Sequence, residues 1–503
     1  HPVAHSFPTR RSSDLIGSGL LPLNLTASKS ARRPNILLIE SDSMDGRAMG
    51  CMGHAAAYTP NLDRLAAQGV LFNSAYCNSP QCVPSRSSMF SGKYTHNIEG
   101  WNNFKGIERD DVTFLKCFED AGHSVKAYGK TDYLSGGHSV GSRLNGWLRS
   151  TNIPFEWKER PEATLHEGLD ASPSRQAEKD RRAVKQAVEF LKQQREDQPF
   201  MLYVGLRLPH PAFETVMRWY EKIDPSKVTL PEYEAKLHPV MEYMARTKNS
   251  IGHFSEEEIV NIRRTYFAMI AELDFNIGEI IHAVNELKLR DNTYIIYISD
   301  HGEMSMEHRQ WLKNSMYESS SHVPMIISGP DVEKDANNPK LTSLIDIFPT
   351  LMDMGRLDHP QNLDGHSLME ELRGGNSNRP DWVLSQYHSN FQNTGSFMLR
   401  QGDWKYVKFI GYESQLFNLK DDPDEMVNLA AQKPEVAKQL NDKLNEIVDC
   451  EKVDAKVKAY DKESFRNWLA EVGENEYPKI MSQLIPNWKP EYIDQINEWM
   501  NSG

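Results

Sequence analysis

Residues 35–43 read Asn35-Ile36-Leu37-Leu38-Ile39-Glu40-Ser41-Asp42-Ser43, a run of strand length that is apolar from Ile36 to Ile39 and then turns abruptly polar. A continuous apolar run, as opposed to an alternating one, is what a parallel strand covered on both faces requires. Open α/β sheets take their ligands at the carboxyl ends of such strands, which places these carboxylates where a site forms. Two further runs behave alike: Phe200-Met201-Leu202-Tyr203-Val204-Gly205-Leu206 precedes Leu208-Pro209-His210-Pro211, and Tyr294-Ile295-Ile296-Tyr297-Ile298 precedes Ser299-Asp300-His301-Gly302. Helical periodicity fills the gaps, notably over 182–194 and 256–288. Strands alternating with helices predict an α/β fold with a mostly parallel sheet sandwiched by helices. Three polar segments distant in sequence then converge on one rim.

Further along, Arg373-Gly374-Gly375-Asn376-Ser377-Asn378 reads as a linker. Beyond it, Phe397-Met398-Leu399-Arg400 and Trp404-Lys405-Tyr406-Val407 flank Gln401-Gly402-Asp403 as the arms of a hairpin. The expected organisation is leader text over 1–32, a catalytic domain over 33–375, and a smaller C-terminal α+β subdomain over 376–503 that contains a short antiparallel sheet. Within the leader, His1–Leu15 resembles a translated sequencing adapter. Residues 16–31, IGSGLLPLNLTASKSA, look like the tail of a truncated signal peptide: a short apolar run, then small residues. Export is therefore expected. The sole Asn-x-Ser/Thr sequon, Asn24-Leu25-Thr26, lies inside the leader, which suits a bacterial periplasmic or secreted protein better than a lysosomal one.

Composition narrows the classes. The chain has 57 Lys and Arg against 70 Asp and Glu, a net charge of −13, with no basic and aromatic interleaving along a helix, so nucleic acid is excluded as a partner. An anionic ligand would need a local cationic pocket, because the global field repels it. No segment has the ~18 uninterrupted apolar residues of a membrane span. Five cysteines, an odd number without CxxC spacing, indicate neither a disulfide framework nor a zinc site.

Chemistry-bearing residues fall in one order along the chain. Cys82-Val83-Pro84-Ser85-Arg86 is followed by Ser91-Gly92, Gly129-Lys130, Ser299-Asp300-His301-Gly302, then Lys313 and Tyr317-Glu318. This series resembles the type I sulfatases of the alkaline phosphatase superfamily, and the resemblance covers residues 33 to about 500. Gln415-Leu416-Phe417-Asn418-Leu419-Lys420-Asp421-Asp422-Pro423-Asp424-Glu425 is similar to a segment of that family's C-terminal subdomain. Within the family, the longer stretches resemble the glucuronate-2-sulfatase branch. They are Ser41-Asp42-Ser43-x-Asp45-Gly46-Arg47, Trp101-Asn102-Asn103-Phe104-Lys105-Gly106, Gly129-Lys130-x-Asp132-Tyr133, Leu208-Pro209-His210-Pro211, Ser299-Asp300-His301-Gly302-Glu303 and Met306-Glu307-His308-Arg309-Gln310.

The resemblance implies an alkaline-phosphatase-like fold and a definite chemistry. A sulfate monoester needs cations on its oxygens, an in-line nucleophile and an acid for the leaving alcohol. Cys82 would be oxidised after synthesis to formylglycine (3-oxoalanine), whose hydrate is the nucleophile and releases sulfate by re-forming its C=O bond. The partner this requires is a formylglycine-generating or anaerobic sulfatase-maturating enzyme. Asp42, Asp300 and His301, together with the group at Cys82, would hold Ca²⁺ or Mg²⁺. Arg86, one helical turn on, would hydrogen-bond the nucleophile, and Lys130 and Lys313 would grip sulfate oxygens as point charges. The expected catalytic set is Cys82, Arg86, Lys130, His210, His238 and Lys313. The expected substrate contacts are Lys130, His138, His238, Lys313 and Arg309, the last facing a uronate carboxylate.

Two positions depart from the family pattern. Asp42-Ser43 stands where most members have Asp-Asp, leaving Ser43 or Asp45 as the replacement, and Asp132 stands where most have a histidine. The acid and base are thus open among His238, His210 and His138. The function expected is removal of a 2-O-sulfate from a uronate of a sulfated, glycosaminoglycan-type saccharide. The alternatives are a phosphonate or phosphodiester hydrolase of the same superfamily and a non-catalytic sulfoglycan-binding protein.

Overall fold

The computed structural model describes residues 32–156, 159–167, 174–195 and 197–502. The leader expected over 1–32 lies, but for Arg32, outside them. The three apolar runs become neighbours in a sheet, as their double-sided burial requires. In chain order its strands are β1 (Asn35–Asp42), β2 (Val70–Phe72), β3 (Ser124–Gly129), β4 (Phe200–Pro209), β5 (Thr293–Ser299), β6 (Met325–Ser328) and β7 (Ala336–Asn338). They lie side by side as β7-β2-β6-β5-β1-β4-β3, with β6 antiparallel to both neighbours and the remaining pairs parallel.

The helices include α1 (Cys82–Ser91), α2 (Arg175–Lys192), α3 (Pro239–Thr247), α4 (Glu256–Glu286), α5 (Ile347–Gly355), α6 (Pro434–Ile447) and α7 (Cys450–Val472). Alternate residues of the strands feed two cores. Leu37, Ile39, Leu202, Val204 and Ile295 pack with α2 and α4 through Ala187, Phe190, Ile270 and Leu273. Ile36, Leu38, Met201, Ile296 and Ile298 pack on the other face with Met89 and Phe90 of α1 and Phe348 and Leu351 of α5. The sheet is therefore the middle of three layers, and its central strands carry no polar face. Each fully buried Leu or Ile contributes roughly 1.5–3 kcal/mol.

Helix starts and stops follow local chemistry. Ser255 and Glu258 form a reciprocal capping box at the start of α4. Gly92, at φ +67°, takes the left-handed position that closes α1, where its N–H reaches back to the last turn.

After residue 375 the chain forms a four-stranded antiparallel sheet of β8 (Trp382–Tyr387), β9 (Ser396–Gln401), β10 (Trp404–Phe409) and β11 (Gln415–Asn418). The expected hairpin is its centre, with Gln401 paired to Trp404 across Gly402-Asp403. One face of this sheet packs Leu384, Phe397 and Leu416 on Leu440 and Leu444 of α6. The other shares a core with Tyr76, Met304, Met316 and Tyr317. The segment after 375 is thus anchored beside the rim on which the site forms. Among the described residues no helix is long and apolar enough to cross a membrane.

Candidate active site

The carboxyl ends of β1, β4 and β5 and the first turn of α1 meet at one buried point. Asp42 ends β1, Asp300 and His301 follow β5, and Cys82 is the first residue of α1. All ten residues of α1 are buried, and Gln81, extended before the helix, makes no side-chain cap, so Cys82 lies at an open helix N-terminus. The Cys82 Sγ lies 3.3 Å from His301 Nε2 and 4.0 Å from Asp42 Oδ1. His301 Nε2 is 3.7 Å from Asp42 Oδ1 and 3.5 Å from Asp300 Oδ1.

These four residues offer one ligand atom each, all within 4.8 Å of one another. Two ligands set at right angles, each about 2.4 Å from one cation, lie roughly 3.4 Å apart, so the spacing suits a single divalent ion. The donor set points the same way: two carboxylates, 1% and 0% exposed, face each other here, and a cation between them offsets their desolvation.

Electrostatics of the cluster are dominated by its cations. Lys130, which follows β3, pairs its ammonium with Asp42 Oδ2. Burial and the Asp42 carboxylate push the Cys82 thiol up, but Lys130, Lys313 and His301 outweigh both and hold it well below the ordinary thiol range. Burial likewise raises Asp42, and Lys130, helped by His210, Lys313 and His301, brings its carboxyl well below the usual value. His301 is drawn down by burial, yet Asp300 raises it above the ordinary imidazole value.

Arg86 is placed differently from expectation. Its Nε donates to Asp300 Oδ2 at 2.8 Å, Nη1 to Glu40 Oε2 at 3.0 Å, to Tyr203 Oη at 2.6 Å and to the Lys130 carbonyl at 3.1 Å, and Nη2 to the Ser41 carbonyl at 3.4 Å. The guanidinium therefore ties together three strand ends instead of bonding Cys82, and its influence on the nucleophile runs through Asp300. Sequence reading missed Glu40 and Tyr203 as its partners. Glu40, fully buried, is pushed up to about 7 by burial, against the pull of Arg86.

Lys313 and His210 meet at this rim: Lys313 Nζ donates to His210 Nε2 at 2.8 Å, while His210 Nδ1 donates to the Pro211 carbonyl at 2.6 Å. His138 sits on an exposed turn at φ +75°. Desolvation pulls its pKa down, with Cys82 and Asp132 opposing and Lys130 and Lys313 adding to the fall. Two expected contacts are otherwise engaged. His238 caps α3, its Nδ1 accepting from Val240 N at 3.2 Å and its Nε2 donating to the Glu413 carbonyl at 2.9 Å, with the ring stacked on Phe409. Arg309 donates to the Pro231 carbonyl at 3.0 Å and lies over the Tyr233 ring.

The two candidate replacements, Ser43 and Asp45, have different partners. Both oxygens of Asp45 accept from Arg47, at 3.1 and 2.7 Å. Ser43 donates to Asp42 Oδ1 at 3.1 Å, and its backbone N–H points at Asp300 Oδ1 at 3.3 Å, so Ser43 is the residue at the cluster. Asp132 Oδ2 lies 3.6 Å from Lys130 Nζ, which puts a carboxylate beside the lysine where most of the family would put an imidazole.

Comparison with known proteins gives the family. The profile of the family described as Sulfatase matches residues 34–356, and that described as N-sulphoglucosamine sulphohydrolase, C-terminal, matches 306–450. Arylsulfatase K of Mus musculus is 39% identical over 499 residues, covering 93% of this chain and 90% of its own. Arylsulfatase K of Homo sapiens is 37% identical over 506 residues, covering 94% of each. The solved phosphonate monoester hydrolase of Agrobacterium radiobacter superposes with a TM-score of 0.69 at 25% identity, covering 84% of this chain and 96% of its own.

Proposed function

Given that the chain belongs to the sulfatase family and is a sulfuric ester hydrolase, we propose that it removes the 2-O-sulfate from a uronate, chiefly glucuronate, of a glycosaminoglycan-type oligosaccharide. The observation that supports the chemistry is the convergence of Asp42, Cys82, Asp300 and His301 beneath Lys130. The choice of sugar rests on the resemblance of the stretches around Trp101, His210 and Met306 to the glucuronate-2-sulfatase branch, and on the identity to arylsulfatase K.

Each side chain then has a task. Asp42, Asp300 and His301, with the group at 82, would hold Ca²⁺ or Mg²⁺, which supplies charge on the sulfate oxygens, while formylglycine at 82 supplies a hydrated aldehyde as nucleophile. Arg86 fixes Asp300 from behind, and Ser43 fixes Asp42. Lys130 and Lys313 set two ammonium charges against the sulfate oxygens. The departing alcohol takes its proton from Lys313 Nζ, which regains one from solvent, and His210, accepting from that ammonium, holds it in place. His138 and Arg309 would contact the sugar beyond the sulfate, Arg309 by leaving the Pro231 carbonyl, and His238 would act by holding the α3 end against Glu413. Maturation of Cys82 by a formylglycine-generating or anaerobic maturating enzyme belongs to the same proposal. So does export, which rests on the apolar run in 16–31.

Turnover of a 2-O-sulfated glucuronate disaccharide should exceed that of a 6-O-sulfated glucosamine by at least about 10²-fold in kcat/KM, the discrimination a site built to bond its sugar delivers. Equal rates would defeat the uronate assignment. A second reading, hydrolysis of phosphonate or phosphate esters, is favoured by the likeness to the phosphonate monoester hydrolase. It would prevail if phenyl phenylphosphonate were turned over faster than any sulfate ester.

A further inference from the structure

Lys248 has no exposure to solvent and no part in the chemistry described above, and burial pushes its amine down to about 7, against the pull of Glu303. It ends α3, and its backbone N–H closes the helix on the Met244 carbonyl. Its Nζ donates to the Trp311 carbonyl at 3.0 Å and to the Lys313 carbonyl. The Trp311 indole N–H returns to the Lys248 carbonyl at 2.8 Å, so the two residues clamp each other. The Phe391 ring lies 5.9 Å from the same nitrogen.

The backbone so held is strained. Leu312 lies at φ +62° and Asn314 at φ +82°, one on each side of Lys313. Positive φ at a non-glycine residue costs on the order of 1–3 kcal/mol and persists only where its surroundings impose it. The strain turns the carbonyls of 311 and 313 toward one donor, and the Lys313 side chain leaves that bend to meet His210 Nε2 at 2.8 Å. On the far side, the Asn314 N–H donates to the Pro80 carbonyl at 3.1 Å, two residues before Cys82.

We propose that Lys248 is a positioning residue for the hydrolysis: its buried Nζ, donating to two carbonyls, fixes the 311–313 backbone so that the Lys313 ammonium meets His210 and faces Cys82 and Asp42. The inference rests on the reading of Lys313 as a sulfate-gripping group. Lys248 itself touches no reacting atom. Displacing a catalytic group by about 1 Å costs up to about 10²-fold in rate, which sets the size of the effect.

The test is a double-mutant cycle of Lys248→Met and Lys313→Met, assayed by kcat and KM on 4-nitrophenyl sulfate. Each variant is normalised to its formylglycine content by the mass of the Cys82 peptide, and its melting temperature is recorded. Lys248→Met is expected to lose about 10²-fold in kcat/KM, and the double variant to fall no more than about twofold below Lys313→Met alone. Lys248→Arg, which keeps donors for both carbonyls, should restore at least about a tenth of the wild-type rate. Losses that multiply in the double variant, or a fully active Lys248→Met, would overturn the proposal. If Lys313→Met itself is fully active, the reading of Lys313 fails, and the role of Lys248 fails with it. Should Lys248→Met not fold, Trp311→Phe removes the reciprocal half of the clamp. It should cost about fivefold alone and nothing in the Lys313→Met background; a loss that persists in that background overturns the proposal.

Discussion

Replacing Arg86 by methionine keeps most of the side-chain volume and removes a cation paired with both Glu40 and Asp300. All three groups have no exposure, with ion-pair distances of 3.0 Å to Glu40 and 2.8 Å to Asp300. Breaking a buried pair by deleting one partner costs about 3–5 kcal/mol, because a charge is left buried without compensation. Two orphaned carboxylates would double that figure if both stayed ionised. Glu40 escapes by taking a proton, since burial has already pushed it up to about 7 with Arg86 in place. The expected loss is therefore about 4 kcal/mol at pH 7, a large fraction of the 5–15 kcal/mol typical of a folded domain. Urea unfolding followed by tryptophan fluorescence measures it. Adding Glu40→Gln to Arg86→Met should recover about 1–2 kcal/mol, because it removes one of the two stranded acids. A loss below about 1 kcal/mol, or no recovery in the double variant, would refute the view that Arg86 serves chiefly to neutralise the strand ends.

Other consequences follow from the same geometry. Asp461, buried against Arg149 at 2.9 Å, is raised to about 7 by burial, with Arg149 opposing. Between its unfolded value near 3.8 and about 7 the folded state holds the proton and the unfolded state does not, so stability falls as pH rises through that window. Asp461→Asn should remove up to about 4 kcal/mol of that decline when unfolding free energies at pH 4 and pH 8 are compared, and an unchanged slope would contradict it. Stripping divalent ions with a chelator should abolish sulfate release, and Ca²⁺ at 100 times its Kd should restore it while adding about 2.7 kcal/mol of stability. Full activity in metal-free protein would end the metal assignment. Ser43→Ala, which removes the hydroxyl donor to Asp42, should lower kcat/KM roughly tenfold, whereas Asp45→Asn should alter melting temperature and leave kcat intact.

The sheet was legible because its three apolar runs bury both faces, and a strand with no polar side can sit only inside an α/β sandwich. The rim was legible for the same reason: Asp42, His210 and Asp300 come directly after those runs, where polarity returns. The shared-cation network was not, since Arg86, Glu40 and Tyr203 are separated by 46 and 117 residues and each bond depends on packing. His238 carried a signal that went unused, for a polar residue before Pro239 marks a helix cap and a proline in the first turn. Lys248 had no such signal, as a lysine after Arg246-Thr247 reads as a solvated helix end. Spacing does not separate Ser43 from Asp45, because Arg47, which engages Asp45, acts through its side-chain geometry.

The most direct test of the account is sulfate release from a 2-O-sulfated glucuronate disaccharide, with the mass of the Cys82 peptide recorded on the same sample and Cys82→Ala run beside it. The account predicts turnover that scales with the formylglycine fraction and vanishes in Cys82→Ala. Turnover by protein whose Cys82 is unmodified, or undiminished release by Cys82→Ala, would contradict it.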